Sequence, residues 1–333
     1  MGRIGRGAVV AAGLLILVLA LVMDRAGAQT PPSSFQVESR SIPIDPAHPS
    51  ERKVGDLIYA GGLVLKAKDT SSFGGLSGID VARDGHFISQ SDAGDLFRGR
   101  IVLDRRRRLV GVADATVARL TDEQGQPLGS KKEADAEDIT FLPGGKGFAV
   151  SFEQEHRVEA YTGQGPARRL GIPDAEFPKR NESLEALTVW RDPSTGEDRL
   201  VEGAEDGRAW ICDMEGHDCR QFLDPARDLP AEDFKLTGLD ALPDGRGMIA
   251  VYRAFDILKG MRAIVAWVRP GAPTQVVTLA RLTPPLNVDN FEGIAAVKNP
   301  DGSIRLYLVS DDNFSSIQRT LLLAFDWRPP TPG

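Results

Sequence analysis

The sequence predicts an all-β chain folded as a β-propeller, from three observations: a motif that recurs five times, a turn signature behind each copy, and a near absence of helical periodicity. The copies are Leu76-Ser77-Gly78-Ile79-Asp80, Ala136-Glu137-Asp138-Ile139-Thr140, Leu184-Glu185-Ala186-Leu187-Thr188, Leu236-Thr237-Gly238-Leu239-Asp240 and Phe291-Glu292-Gly293-Ile294-Ala295. Their second residues are spaced by 60, 48, 52 and 55 positions. A unit of ~50 residues built from short strands is a propeller blade.

Each motif supplies a first strand, and a hairpin turn follows: Arg83-Asp84-Gly85, Pro143-Gly144-Gly145, Pro193-Ser194-Thr195-Gly196, Pro243-Asp244-Gly245 and Pro300-Asp301-Gly302. Second strands are then expected over 86–90, 147–152, 199–202, 248–252 and 303–309. Strand-like runs at 56–60 and 63–66, with a last apolar run at 320–327, suggest one further blade. The expectation is therefore six blades, closed by pairing of N- and C-terminal strands, since closure removes exposed sheet edges.

Ahead of the repeats, Arg3 and Arg6 precede an uncharged run from Ala8 to Met23, and Ala26-Gly27-Ala28 offers the small residues of a signal-peptidase site. The run falls short of the ~20 residues a membrane-spanning helix needs, so a retained anchor is the lesser alternative. The domain plan is a signal peptide over 1–28, a flexible leader over 29–34, a single propeller over 35–328 and a tail over 329–333. Export to the periplasm or beyond follows, with no stable membrane insertion after cleavage. In that oxidising setting Cys212 and Cys219, flanking a loop of six residues, are expected to form a disulfide. With a net charge of −7 over 333 residues and no basic field, the chain is not expected to bind nucleic acid.

In a four-stranded blade the start of strand one, the end of strand two and the start of strand three lie on one face of the disc. The first position carries Ser77, Glu137, Glu185, Thr237 and Glu292; the second carries Asp92, Glu153, Glu205, Arg253 and Asp311; near the third come Arg98, Arg157, Arg208 and Arg319. Carboxylates gathered at one rim repel one another unless neutralised. A hard cation with a taste for many oxygens, calcium, would do so, held by Glu137, Glu185 and Glu292 with Asp92, Glu153, Glu205 or Asp311. The alternative is ion pairing with the strand-three arginines and no metal. Asp289-Asn290 and Asp311-Asp312-Asn313 add candidate oxygens. Lys235 and Arg253 on the same rim would neutralise charge on a phosphoryl group, with Arg98, Arg157 and Arg208 binding the anionic substrate.

Other chemistries lack their residues. The histidines His48, His86, His156 and His217 are isolated, Gly75-Leu76-Ser77-Gly78 is not a nucleophile elbow, and no Walker A or dinucleotide loop occurs.

Taken together, Phe73-Gly74-Gly75-Leu76-Ser77-Gly78-Ile79-Asp80, Ser91-Asp92, Asp135-Ala136-Glu137-Asp138-Ile139, Asn181-Glu182-Ser183-Leu184-Glu185-Ala186-Leu187, Phe291-Glu292-Gly293-Ile294 and Ser310-Asp311-Asp312-Asn313-Phe314 resemble the bacterial exported family known as esterase-like activity of phytase. The resemblance spans roughly 62–325 and implies a phytase-like propeller with phosphoester hydrolysis. The functional expectation is a calcium-assisted phosphoric ester hydrolase, monomeric, acting on a small phosphate ester. A non-catalytic periplasmic propeller that binds a ligand or envelope protein at the same rim is the alternative.

Overall fold

The computed structural model describes residues 32–163, 165–177 and 183–330. The expected signal peptide lies outside them. The strands assort into five antiparallel sheets, one per motif. The first holds Leu76–Val81, His86–Ser91, Asp95–Leu103 and Leu109–Arg119, with Ser33–Ser34, from the end of the expected leader, on its outer edge. The second holds Ala136–Phe141, Phe148–Phe152, Arg157–Tyr161 and Arg168–Leu170; the third Leu184–Arg191, Asp198–Ala204, Ala209–Cys212 and Arg220–Leu223; the fourth Lys235–Ala241, Met248–Asp256, Gly260–Arg269 and Gln275–Leu282. In the fifth, Asn290–Lys298, Ile304–Asp311 and Leu321–Trp327 are joined by Leu57–Ala67 and Val37–Ser41 from the other end of the chain.

The expected sixth blade is thus corrected to five. The runs at 56–60 and 63–66 are one strand, Leu57–Ala67, hydrogen-bonded to Leu321–Trp327, so both terminal segments complete the fifth blade. Gly61-Gly62, which reads as a break, lies inside that strand beside a register shift. Gly61 has φ +122°, and a Cβ there would come within 2.6 Å of the Leu109 carbonyl oxygen, so glycine marks a close approach and not a turn.

Apolar faces decide the packing. Five buried clusters form, each shared by two neighbouring sheets: Ile88 and Leu96 meet Ile139 and Val150, Val158 meets Leu187 and Trp210, Val201 meets Ile264, Val265 meets Leu306, and Val309 with Leu322 meets Ile79 and Phe97. The fifth sheet therefore packs on the first, and the five motif strands surround one axis. Carboxylates stitch those strands together: Asp80 accepts the Phe141 N–H (2.7 Å), Asp138 the Leu187 N–H (2.8 Å), and Asp240 both the Ala296 N–H (2.7 Å) and the Thr188 hydroxyl (2.8 Å).

The motif strands share a deformation. In every blade the pairing with strand two skips one residue, between Leu76 and Gly78, Ala136 and Asp138, Leu184 and Ala186, Leu236 and Gly238, and Phe291 and Gly293. A β-bulge leaves the skipped residue unpaired and re-aims its side chain. The residue behind the bulge must be small where the axis is crowded. A Cβ on Gly238 would lie 2.4 Å from the Glu292 carbonyl oxygen, and one on Gly293 2.8 Å from the Gly78 Cα.

The expected disulfide is present: Cys212 and Cys219 are bonded at the tip of the hairpin between the third and fourth strands of blade three, with Cα atoms 4.0 Å apart. No helix among the described residues is long and apolar enough to cross a membrane.

Two stability measurements follow. Gly238→Ala presses a Cβ on backbone that cannot rotate away, and should cost about 1–3 kcal/mol in chemical denaturation; a loss below about 0.5 kcal/mol would show that the axis has slack. Replacing both cysteines by serine should cost about 2–3 kcal/mol through the loop entropy regained by the unfolded chain. An unchanged midpoint would mean the hairpin holds itself.

Candidate functional site

The five skipped residues are Ser77, Glu137, Glu185, Thr237 and Glu292, so the bulge delivers one repeat position to one end of the axis. Strand two contributes the next ring, Asp92, Glu153, Glu205, Arg253 and Asp311. Opposite these residues across the ladder stand Gly75, Asp135, Ser183, Lys235 and Asn290. Three converging positions per blade make a rim rich in carboxylates.

Their electrostatics show that they meet. Loss of hydration, and then the Asp135, Glu153 and Glu292 charges, push Glu137 well above the usual carboxylate range. Glu185 is driven up in the same way, first by burial and then by Glu137, Glu153, Glu292 and Glu205. Burial is also the largest cause for Glu153, Glu292 and Asp311, each raised to about 7. Glu153 is moderated by a hydrogen bond with Glu185, and Glu292 by the guanidinium of Arg253.

Among the described residues, three cationic side chains reach this rim. Arg253 Nε lies 3.3 Å from Glu292 Oε2. Glu292, Glu185, Glu205 and Asp311 all favour the Arg253 charge against the cost of its burial. Lys235 Nζ contacts Glu205 at 2.7 Å. The third cation, Lys131, was missed from sequence. It leaves the single-turn helix Lys131–Ala134 and places Nζ 2.6 Å from Asp92 and 2.5 Å from Asp135. The Ser130–Glu133 capping box that starts this helix was the readable signal. Asp135 was likewise absent from the expected ligands.

The strand-three arginines do not join the ring. Arg98 is exposed and stacks on Phe148, with its guanidinium carbon 5.2 Å from the ring centroid. Arg157 is buried against Phe152, pairs with Glu159 at 2.8 Å and donates to the Glu133 carbonyl. Arg208 pairs with Asp206 at 2.7 Å and stacks on Trp210, while Arg319 is held by Asp289, Asn287 and the Val288 carbonyl. The sequence alternative, in which these arginines neutralise the carboxylates of the ring, is therefore not the arrangement formed.

Some oxygen donors accept no hydrogen bond. Asp92 Oδ1, Asn290 Oδ1 and Glu292 Oε2 are buried and accept no hydrogen bond, and carboxylate oxygens of Asp135, Glu137 and Glu153 lie within 4.8 Å of one another. An all-oxygen set with surplus negative charge can hold a metal ion, and it suits a hard one.

A family model described as phytase-like, esterase-like activity of phytase, matches residues 71–314. The chain belongs to that family. The matched span contains every rim residue named above, so the phytase-like core and the acidic ring coincide. No curated protein matches the sequence. Among solved structures, the chain is similar to the hydrazine synthase of Kuenenia stuttgartiensis at TM-score 0.40 and 14% identity, covering 74% of this chain and 79% of that one. It is also similar to the β-propeller domain of Myceliophteria thermophila Cps50 (Swd1), at TM-score 0.42, 12% identity and coverage of 90% and 100%. For U3-55K the TM-score is 0.37, the identity 12%, and the coverage 76% and 81%. Similarities of this size carry no functional argument.

The raised carboxyls make stability fall with pH. Glu153, Glu292 and Asp311 keep protons up to about pH 7 in the folded chain but release them near 4 when unfolded. Their contribution is full below the unfolded values and is lost as pH rises through 7. The metal-free protein should melt higher at pH 5 than at pH 8. A divalent cation competes with those protons, so it should raise the melting temperature more at pH 8. Equal melting temperatures at both pH values, with no metal response, would mean the carboxyls are neutralised in some other way.

Proposed function

We propose that this phytase-like protein is an exported phosphoric ester hydrolase that works with calcium at the acidic rim. The observation that carries the reading is the imbalance of charge there. Among the described residues, Glu137, Glu153, Glu185, Glu205, Glu292, Asp92, Asp135 and Asp311 face three cations, Lys131, Lys235 and Arg253. At neutral pH the ring must either hold protons or take up a cation. Calcium matches the oxygen-only donors, with Asp135, Glu137 and Glu153 as its first candidates and Asp92, Glu185, Glu205, Glu292 and Asp311 around them.

When bound, calcium would supply concentrated positive charge to the phosphate oxygens and favour ionisation of nearby water. The side chains supply the rest. Arg253 can turn its guanidinium from Glu292 to the phosphoryl oxygens, and Lys235 stands beside it in the ladder. Glu292, raised to about 7, can accept a proton at Oε2 from the attacking water. That proton can then pass through solvent to the departing alkoxide. The disulfide suits an oxidising compartment, which supports export; cleavage after residue 28 and action as a monomer belong to the same proposal.

Turnover of 4-nitrophenyl phosphate by the purified mature chain tests the proposal. Calcium should restore activity removed by chelation. Arg253→Met should lower kcat/KM on the order of 10²-fold, and Glu185→Gln should weaken activity and the calcium-dependent thermal shift together. No turnover with calcium, or full activity in Arg253→Met, would overturn the proposal and leave the rim as a binding site.

A further inference from the structure

The apolar surface of the molecule is distributed unevenly. Among the described residues, every large apolar side chain at least half exposed lies on two hairpins: Phe255 (62%), Ile257 (89%) and Leu258 (95%) in blade four, and Phe314 (50%) and Ile317 (89%) in blade five. Both hairpins join strand two to strand three, the connection that opens on the acidic rim. Isolated apolar residues on a surface need no explanation, but a cluster beside a site does.

Each hairpin is tied to the site by backbone. Met248–Asp256 runs through Arg253 and continues three residues beyond it, about 10 Å at the usual strand rise, before returning as Gly260–Arg269. Alternation puts Phe255 on the same strand face as Arg253, one step further out. The tip is fixed: Asp256 Oδ1 accepts the N–H groups of Leu258 (2.8 Å) and Lys259 (2.9 Å), and Gly260 takes φ +70°, which leaves Ile257 and Leu258 outermost. In blade five the Phe314 ring lies over Gly74 and Gly75. A Cβ on Gly75 would come within 2.6 Å of both that ring and Asp92 Oδ1. Phe314 thus borders the rim on one side and Phe255 on another.

Among the described residues, the rim offers little to a polyanion. The strand-three arginines are engaged elsewhere, and Lys131, Lys235 and Arg253 each already face a carboxylate. One phosphate group beside bound metal fits this charge pattern; several do not.

We infer that the substrate is a single phosphate ester carrying an apolar chain, with the phosphate at the acidic rim and the chain against Phe255, Ile257 and Leu258, bordered by Phe314 and Ile317. This rests on the function proposed above and adds the substrate class. Calorimetric titration of the calcium-loaded full chain with ethyl phosphate and with octyl phosphate, below its micellar concentration, tests it. Octyl phosphate should bind at least tenfold tighter. In the triple variant Phe255→Ser, Ile257→Ser, Leu258→Ser, all at exposed positions, the ratio of affinities should collapse toward one, and Ile317→Ser should reduce it partly. Equal affinities in the wild type, a ratio that survives in the triple variant, or no binding of either ester would overturn the inference.

Release of inorganic phosphate in the same samples separates this from the hydrolase proposal. An octyl preference without release sinks the proposed reaction and keeps the apolar subsite, whereas release at equal rates for both esters does the reverse. Sedimentation with phosphatidylcholine vesicles containing phosphatidic acid distinguishes the source of the chain. Binding that is lost in the triple variant assigns the chain to a bilayer lipid. An octyl preference without vesicle binding assigns it to a dispersed amphiphile.

Discussion

A one-residue bulge at the start of every axial strand is the constraint on which the rest of the molecule depends. Without it, residues 77, 137, 185, 237 and 292 would stay in register with strand two and share its alternation between sheet faces. With it, five copies of one repeat position leave the ladder together and meet at one end of the axis. The small residues behind the bulge, Gly78, Gly238 and Gly293, belong to the same device, because the axial strands approach too closely there for a Cβ.

The cost of gathering carboxylates is met differently at the two levels of the axis. Lower down, Asp80, Asp138 and Asp240 spend their oxygens on backbone N–H groups of neighbouring blades, so each acts as a stitch. At the rim, burial and then the neighbouring carboxylates push Glu137 and Glu185 up in pKa, and Asp92 Oδ1 accepts no hydrogen bond. The first set is satisfied within the protein. The second is satisfied in part by Lys131, Lys235 and Arg253, and its remaining charge is left to protons or to a cation from outside.

Much of this was legible in the sequence, because the bulge position is written into the repeats as Ser, Glu, Glu, Thr and Glu, and the hairpin turns carry Gly and Pro where the backbone requires them. The blade count was not. Gly61-Gly62 reads as a break between two short strands, and only the approach of Leu109 shows why glycine sits within a continuous one. Arg98, Arg157 and Arg208 were also misplaced by sequence, since spacing fixes where a backbone runs but not whether a guanidinium prefers Phe148, Glu159 or Asp206 nearby. Lys131 arrives from outside the repeat, and no periodicity could have brought it to Asp92 and Asp135.

The central claim is that the acidic rim is a cation site held neutral by protons in the absence of metal. Titration calorimetry of calcium into the chelator-treated protein at pH 7, in two buffers of different ionisation enthalpy, tests it most directly. Displacement of protons from Glu153, Glu292 and Asp311 should make the observed heat depend on the buffer, with proton release falling as pH is raised to 8.5. Binding heat identical in both buffers, or no binding at all, would contradict the account.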